Sequence, residues 1–191
     1  ASIASVSEVE MKTKSADENV GTLIKISGGK LLTQENCAAT QGTSIKVKNL
    51  FFNLPARKNF LKSITVETKH IFTEFQRVSL SYPNVAFEYY NQEKRVLTLD
   101  AGSLKKRIQE LLSIKDEALI EAKELTDIVS IHGFLGSPKQ AKRTRGNQFL
   151  FANGRYIKDP YLNHAISSAY GQLLEEKQYP TYVLFLEVEP E

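Results

Sequence analysis

Period-two alternation through the first fifty residues, a wide apolar stripe at three- and four-residue spacing after Arg57, and a second strand, hairpin, helix and strand succession after Ser103 predict an α+β protein of two domains. The 191 residues are enough for one large or two small domains with a real core.

Residues 6–14 alternate as a strand, and residues 21–27 do so again with Leu23, Ile24 and Ile26. Gly28-Gly29 supplies the positive φ angles of a tight turn that returns the chain through Leu31 and Leu32 toward Cys37. In residues 42–61, GTSIKVKNLFFNLPARKNFL, the side chains of Ile45, Val47 and Leu50 oppose Lys46 and Lys48, the pattern of a half-buried strand. Asn53 and Pro55 stop it, because proline has no N–H to give a ladder and biases the preceding residue away from helix. Three or four neighbouring strands on short connections predict an antiparallel meander. Over residues 57–80, Phe60, Leu61, Ile64, Ile71, Phe72, Phe75 and Val78 make one stripe on a long helix that covers a face of the sheet. Tyr82-Pro83-Asn84 ends it, and residues 85–90 with 95–99 read as a second hairpin.

Ala101-Gly102-Ser103 marks the boundary between domains 1–102 and 103–191, with Ser103 capping a helix over 104–112. A weakly apolar, acidic connector (116–127) leads to a strand (128–134) and then to a loop (135–147) holding glycine, proline and four cations. Within residues 148–158, Asn153-Gly154 sits between apolar runs, a strong hairpin signal because both residues tolerate φ above zero; it folds Arg155 back beside the preceding strand. Asp159 and Pro160 open a helix as N-cap and first helical residue, with Leu162, Ala165, Ile166, Ala169, Tyr170, Leu173 and Leu174 as its buried stripe. An apolar strand over 182–188 follows.

Composition is that of an ordinary soluble globular protein, 41% hydrophobic and 25% charged, with no apolar run near the roughly 18 residues of a membrane span. No membrane association is expected, and Cys37, the only cysteine, excludes an internal disulfide and a thiolate metal cluster. A reducing cytoplasm fits this usage. His70, His132 and His164 share no ligand spacing, so no metal site is expected. The net charge of +3 conceals an asymmetry. No acid lies between Asp127 and Asp159, while Lys139, Lys142, Arg143, Arg145, Arg155 and Lys158 all do. Such a block is the footprint of a phosphate-binding surface, and its arginines suit forked phosphate contacts. Backbone phosphates carry no sequence information, so base readout is not expected.

The block GTSIKVKNLFFNLPARKNFL resembles a signature of the MutL mismatch-repair family, a GT strand followed by LFxNxPARxKFL, with Asn59 where that family usually carries lysine. FANGRYIKDPYLNHAISSAY is similar to the same family's FVNGRxxxDxxLxxAIxxAY stretch, with Ala152 in place of valine, and ASIASVSEVE resembles the segment after its GFRGEAL motif. The resemblance covers almost the whole chain. It implies the rear part of a GHKL ATPase α/β sandwich followed by a transducer domain like domain 2 of ribosomal protein S5, incomplete at its C-terminus. It implies a DNA clamp driven by ATP and Mg2+ that couples recognition by a MutS-type protein to strand nicking, and that dimerises with itself.

By this resemblance Gly42 and Thr43 form the threonine step of the adenine pocket, whereas the general-base glutamate, the magnesium asparagine and the glycine-rich lid lie before residue 1. No catalytic residue is therefore expected here, no bound cofactor, and no ATP turnover by this chain alone. The six cations become DNA contacts, since the family binds DNA through a positive groove in this region. The alternative is a nucleotide-independent nucleic-acid-binding module with an S5-like fold. A gyrase- or Hsp90-like ATPase is disfavoured by the NLPAR block.

Overall fold

The computed structural model describes residues 2–188; Ala1 and residues 189–191, the end of the closing apolar stretch, lie outside it. The chain divides into two compact units between Glu67 and Thr68. The sequence boundary at Ala101-Gly102-Ser103 falls inside the second.

The first unit is an antiparallel sheet of β1 (Glu8–Lys14), β2 (Gly21–Ser27), β3 (Lys30–Cys37) and β4 (Gly42–Lys48), in the order β3-β2-β1-β4. It is the expected meander, with β4 closing back on β1. Gly28 and Gly29 make the β2–β3 turn at φ 56° and 83°, where a side chain would be strained. Register places Val9, Met11 and Thr13 on the same face as Ile26, Ile24 and Thr22 of β2 and as Val47, Ile45 and Thr43 of β4. The opposite face is charged: Glu8 and Glu10 lie across from Lys48 and Lys46, and a hydrogen bond from Lys46 holds the Glu10 carboxyl below its ordinary value. The expected half-burial of β4 is not observed. Ile45 is 62% and Val47 46% exposed, because β4 is an edge strand and its apolar side is left open to solvent. After β4 the LFFNLPAR segment folds onto the start of the sheet: Phe51 N–H donates to the Val6 carbonyl at 2.7 Å and Asn53 Nδ2 to the Ser5 carbonyl at 3.0 Å.

The long helix begins later than its apolar spacing suggests. A single turn, α1 (Pro55–Lys58), is followed by a break, and α2 runs over Ile64–Ser81. The Ser63 carbonyl receives the first helical bonds, from Val66 and Glu67, while the Glu67 carboxylate accepts the Lys62 N–H at 2.8 Å, so the start is capped at Lys62–Ser63 and Phe60 is left 77% exposed outside the helix. Only part of the stripe is buried. Ile64, Ile71 and Val78 face solvent, while Phe75 and Leu80 enter the core of the second unit.

That unit contains the hairpin of β5 (Phe87–Asn91) and β6 (Lys94–Leu99), helix α3 (Leu104–Leu112), and a five-stranded sheet of β7 (Leu119–Leu125), β8 (Val129–Gly136), β9 (Gln148–Ala152), β10 (Arg155–Ile157) and β11 (Tyr182–Val188). The sheet order is β10-β9-β11-β8-β7, with only β9–β11 parallel, and helix α4 (Pro160–Tyr170) lies between β10 and β11 in sequence. β7 corrects the reading of residues 116–127 as a connector. Its acids Glu121 and Glu124 sit on an edge strand that pairs along its length with β8, and Leu119 and Ala122 reach the core clusters.

Alternation splits the core across the sheet. Phe149, Phe151, Val183 and Phe185 pack with Leu80, Leu99, Ile108 and Leu111, and Leu150, Tyr182 and Leu184 pack with Ile166 of α4. Among the described residues every buried hydrophobic except Leu23 belongs to this unit.

Arg107 explains why the hairpin and α2 join this unit. Fully buried on α3, its guanidinium donates to the carbonyls of Ser79, Tyr82, Pro83, Val85 and Asp100, collecting the end of α2, the following turn and the end of β6 on one cation. The expected caps are present, with Ser103 Oγ accepting from Lys106 N–H and Asp159 Oδ1 from Leu162 N–H. The α4 stripe is shorter than its periodicity. Gly171, at φ 50°, ends the helix, so Leu173 and Leu174 leave it, and Ala165 and Ala169 are exposed.

Candidate nucleic-acid interface and nucleotide-facing strand

Five of the six cations of the acid-free interval cluster toward one end of the five-stranded sheet. Lys139, Lys142, Arg143 and Arg145 lie on the loop from Gly136 to Gln148, which crosses from the end of β8 to the start of β9. Ile157 pairs with Leu150, so Lys158, one residue further, returns toward that same end. Arg155 does not join them. It pairs with Ala152 at the far end of β9, four residues and roughly 13 Å from Gln148 at the rise of a strand.

All six side chains are exposed, and among the described residues none forms an ion pair, whereas Lys46, Arg77, Arg95, Lys105 and Lys106 each do. Unneutralised cations on a water-facing loop and hairpin are free to meet phosphate.

Both positions are held by neutral contacts. At the hairpin tip Asn153 is pinned to β11: its N–H donates to the Leu186 carbonyl at 2.9 Å, its Nδ2 to the Val188 carbonyl at 3.0 Å, and its Oδ1 accepts the Val188 N–H at 2.9 Å. Asn153 and Gly154 adopt φ 46° and 75°, the geometry of the predicted Asn-Gly turn, and so aim Arg155 along β10. Tyr156 beside it lies beneath the Arg77 guanidinium, 3.9 Å from the ring centroid. The basic loop is fixed by residues sequence reading passed over. Lys142 and Tyr179 exchange backbone hydrogen bonds at 2.9 and 2.8 Å, Thr181 Oγ1 donates to the Gln140 carbonyl, and Tyr182 N–H donates to the Asn147 carbonyl. Burial raises the hydroxyls of Tyr170 and Tyr182 to about 12, and they donate to the Gly136 carbonyl and to Asn163 Oδ1.

In the first unit, Gly42 sits at φ 115° with open space where a Cβ would be, so its requirement is conformational rather than steric. Thr43, next along, shares its hydroxyl with Thr13, Oγ1 to Oγ1 at 2.8 Å, and the two form the polar end of the face made by Val9, Met11, Ile24, Ile45 and Val47. Thr13 carries no sequence signal. Its role depends on β4 pairing with β1, thirty residues away. A hydroxyl pair ending an apolar wall suits the edge of a nucleobase. Among the described residues no group of three His, Cys, Asp or Glu side chains is placed to hold a metal ion, and the Gly28-Gly29 turn abuts Phe52 and Ser5.

Comparison with solved structures gives the class. The chain superposes over its full length, with TM-score 0.80 and 26% identity, on 71% of the "Aquifex aeolicus MutL ATPase domain complexed with ADP". It matches the B-subunit of DNA gyrase from Myxococcus xanthus in fold, at TM-score 0.56 and 8% identity, over 98% of this chain and 59% of that one. The fold is therefore that of the GHKL ATPase region. A family model described as DNA mismatch repair protein, C-terminal domain, matches residues 109–191, and all 191 residues align at 47% identity with the DNA mismatch repair protein MutL of Christiangramia forsetii. The chain belongs to the MutL family of DNA mismatch repair proteins. It spans 31% of the length of that relative. No helix among the described residues is long and apolar enough to cross a membrane.

Proposed function

We propose that this chain supplies a DNA-binding face and one wall of the adenine-nucleotide site of an ATP-dependent mismatch-repair clamp. The observation that carries the reading is the set of six exposed cations that have no acid partner among the described residues, held on a stapled loop and a pinned hairpin. Lys139, Lys142, Arg143, Arg145 and Lys158 meet phosphates near one end of the sheet, and Arg155 meets the backbone further along. Gly42 and Thr43, with Thr13, face the base of ATP. Mg2+ and the phosphates are left to other parts of the protein, and no residue of this chain is assigned a hydrolytic step. In the whole protein, residues 1–102 belong to the ATPase domain and 103–191 to the transducer domain. Nucleotide-driven dimerisation then links a MutS-type recognition protein to strand nicking, in the cytoplasm.

The test is duplex binding by this chain across a salt series, beside a variant with Arg143, Arg145 and Arg155 changed to glutamate. Released counterions give a logarithmic salt slope of about −0.9 per phosphate contact, so the variant's slope should be shallower by two to three units. Equal slopes for the two proteins would remove the basic interval from the interface.

A further inference from the structure

We propose that Tyr179 is a positioning residue of the DNA-binding loop, holding the Arg145 guanidinium where it meets a phosphate; the inference rests on the DNA reading above. The loop between Gly136 and Gln148 has no ladder of its own beyond one short turn at Pro138–Gln140. Its order comes from the chain just before β11. Gly136 N–H donates to the Thr181 carbonyl at 2.8 Å, Thr181 Oγ1 to the Gln140 carbonyl at 3.0 Å, and Tyr182 N–H to the Asn147 carbonyl at 2.9 Å, while Lys142 and Tyr179 form a two-bond bridge. These contacts fix the loop at its entry, middle and exit.

Tyr179 adds what the backbone bonds cannot. The Arg145 guanidinium lies 4.8 Å from its ring centroid, and Arg145 has no carboxylate partner among the described residues. The ring therefore holds a long, flexible side chain without neutralising it. Among the described residues neither Glu175, which accepts from Gln178 Nε2 at 2.9 Å, nor Glu176 forms an ion pair with Arg145. A carboxylate in the ring's place would fix Arg145 equally well but cancel the charge that phosphate needs. An aromatic face orders the guanidinium and leaves its N–H edge available. Holding the side chain before binding removes part of its ordering cost on contact.

The experiment is a double-mutant cycle in this chain, reading duplex affinity and salt slope, with unfolding midpoints measured on every variant. Y179L keeps the backbone bridge and removes the aromatic face; R145Q removes the charge. Y179L should weaken binding about two- to five-fold, and R145Q should reduce the salt slope by about one. With Arg145 already replaced, Y179L should have no further effect, and Y179F should restore wild-type affinity. A purely structural tyrosine would lower the unfolding midpoint and weaken both backgrounds alike. Additive effects, or a Y179L protein that binds like wild type while R145Q does not, would overturn the inference. A wild-type chain that binds no duplex at low salt would overturn the DNA reading, and this inference with it.

Discussion

The two units solve the problem of holding strands together in different ways. In the second, alternating side chains from β9 and β11 bury both faces of the sheet, and Phe151 stacks on Phe185 at 4.7 Å with Tyr156 edge-on to it at 5.9 Å. In the first, four strands pair along their lengths with one bulge, between Lys25 and Ile26 of β2, yet Leu23 is the only buried hydrophobic side chain among its described residues, and the Val9, Met11, Ile45 and Val47 face has little within its own unit to cover it. Backbone ladders fix the geometry of the first unit; burial supplies the stability of the second. The difference teaches where function can sit. The second unit has a core of its own and carries, on a loop and a hairpin, cations with no acid partner among the described residues, whereas the first presents a wall that gains from whatever packs on it.

The contrast predicts where substitutions hurt. Phe151, fully buried at the centre of the aromatic row, should cost about 3–5 kcal/mol as F151A, read as a fall in the urea midpoint of the second unit. A loss below 1 kcal/mol would mean that the sheet is not held by its core. Arg107→Met should cost about 3 kcal/mol, because five carbonyls lose a charged donor and several are left dry. It should also release the end of α2, seen as faster amide exchange over residues 78–85. Unchanged exchange there would show that α2 ends without that cation.

Much of this was legible because its causes are local. Gly28-Gly29, Asn153-Gly154, Ser103 and Asp159-Pro160 each dictate backbone geometry within a few residues, and each stands where spacing placed it. The start of α2 was not legible, since Phe60 and Leu61 continue the apolar period and only the cap made by Glu67 on Lys62 interrupts it. β7 was hidden by its own acids, which suit an edge strand as well as a loop. Thr13, Tyr179 and Arg107 were invisible for a third reason: their partners lie 30, 34 and, for four of the five carbonyls on Arg107, more than 20 residues away, through sheet register and tertiary closure. The basic interval could be read as a patch by charge alone. Its division between a loop and a hairpin at the other end of β9 required the strand pairing.

A smaller effect should appear in alkali. Tyr170 and Tyr182 have hydroxyls raised by burial from 10 to about 12 in the folded chain. A folded value above the unfolded one means stability fully present below pH 10 and lost as pH climbs from 10 through 12. For Tyr182, almost completely buried, the loss is on the order of 2–3 kcal/mol. Y182F should flatten that part of the stability profile, and a flat wild-type profile from pH 9 to 12 would show that the hydroxyls ionise freely.

The smallest effect belongs to the open wall. Ile45 is 62% exposed on β4, so I45S removes little buried area and should change the stability of this chain by less than about 0.5 kcal/mol. The same substitution should matter wherever a partner packs on that face, because an apolar contact would then be replaced by a hydroxyl that needs its own hydrogen bond. Hydrogen exchange across β1 and β4 separates the two situations: equal protection in wild type and I45S places the stability of the first unit in its backbone ladders. A loss above 1.5 kcal/mol in this chain alone would mean that Ile45 is buried in solution, and the contrast between an uncovered first unit and a self-sufficient second would fail at the strand that carries Thr43.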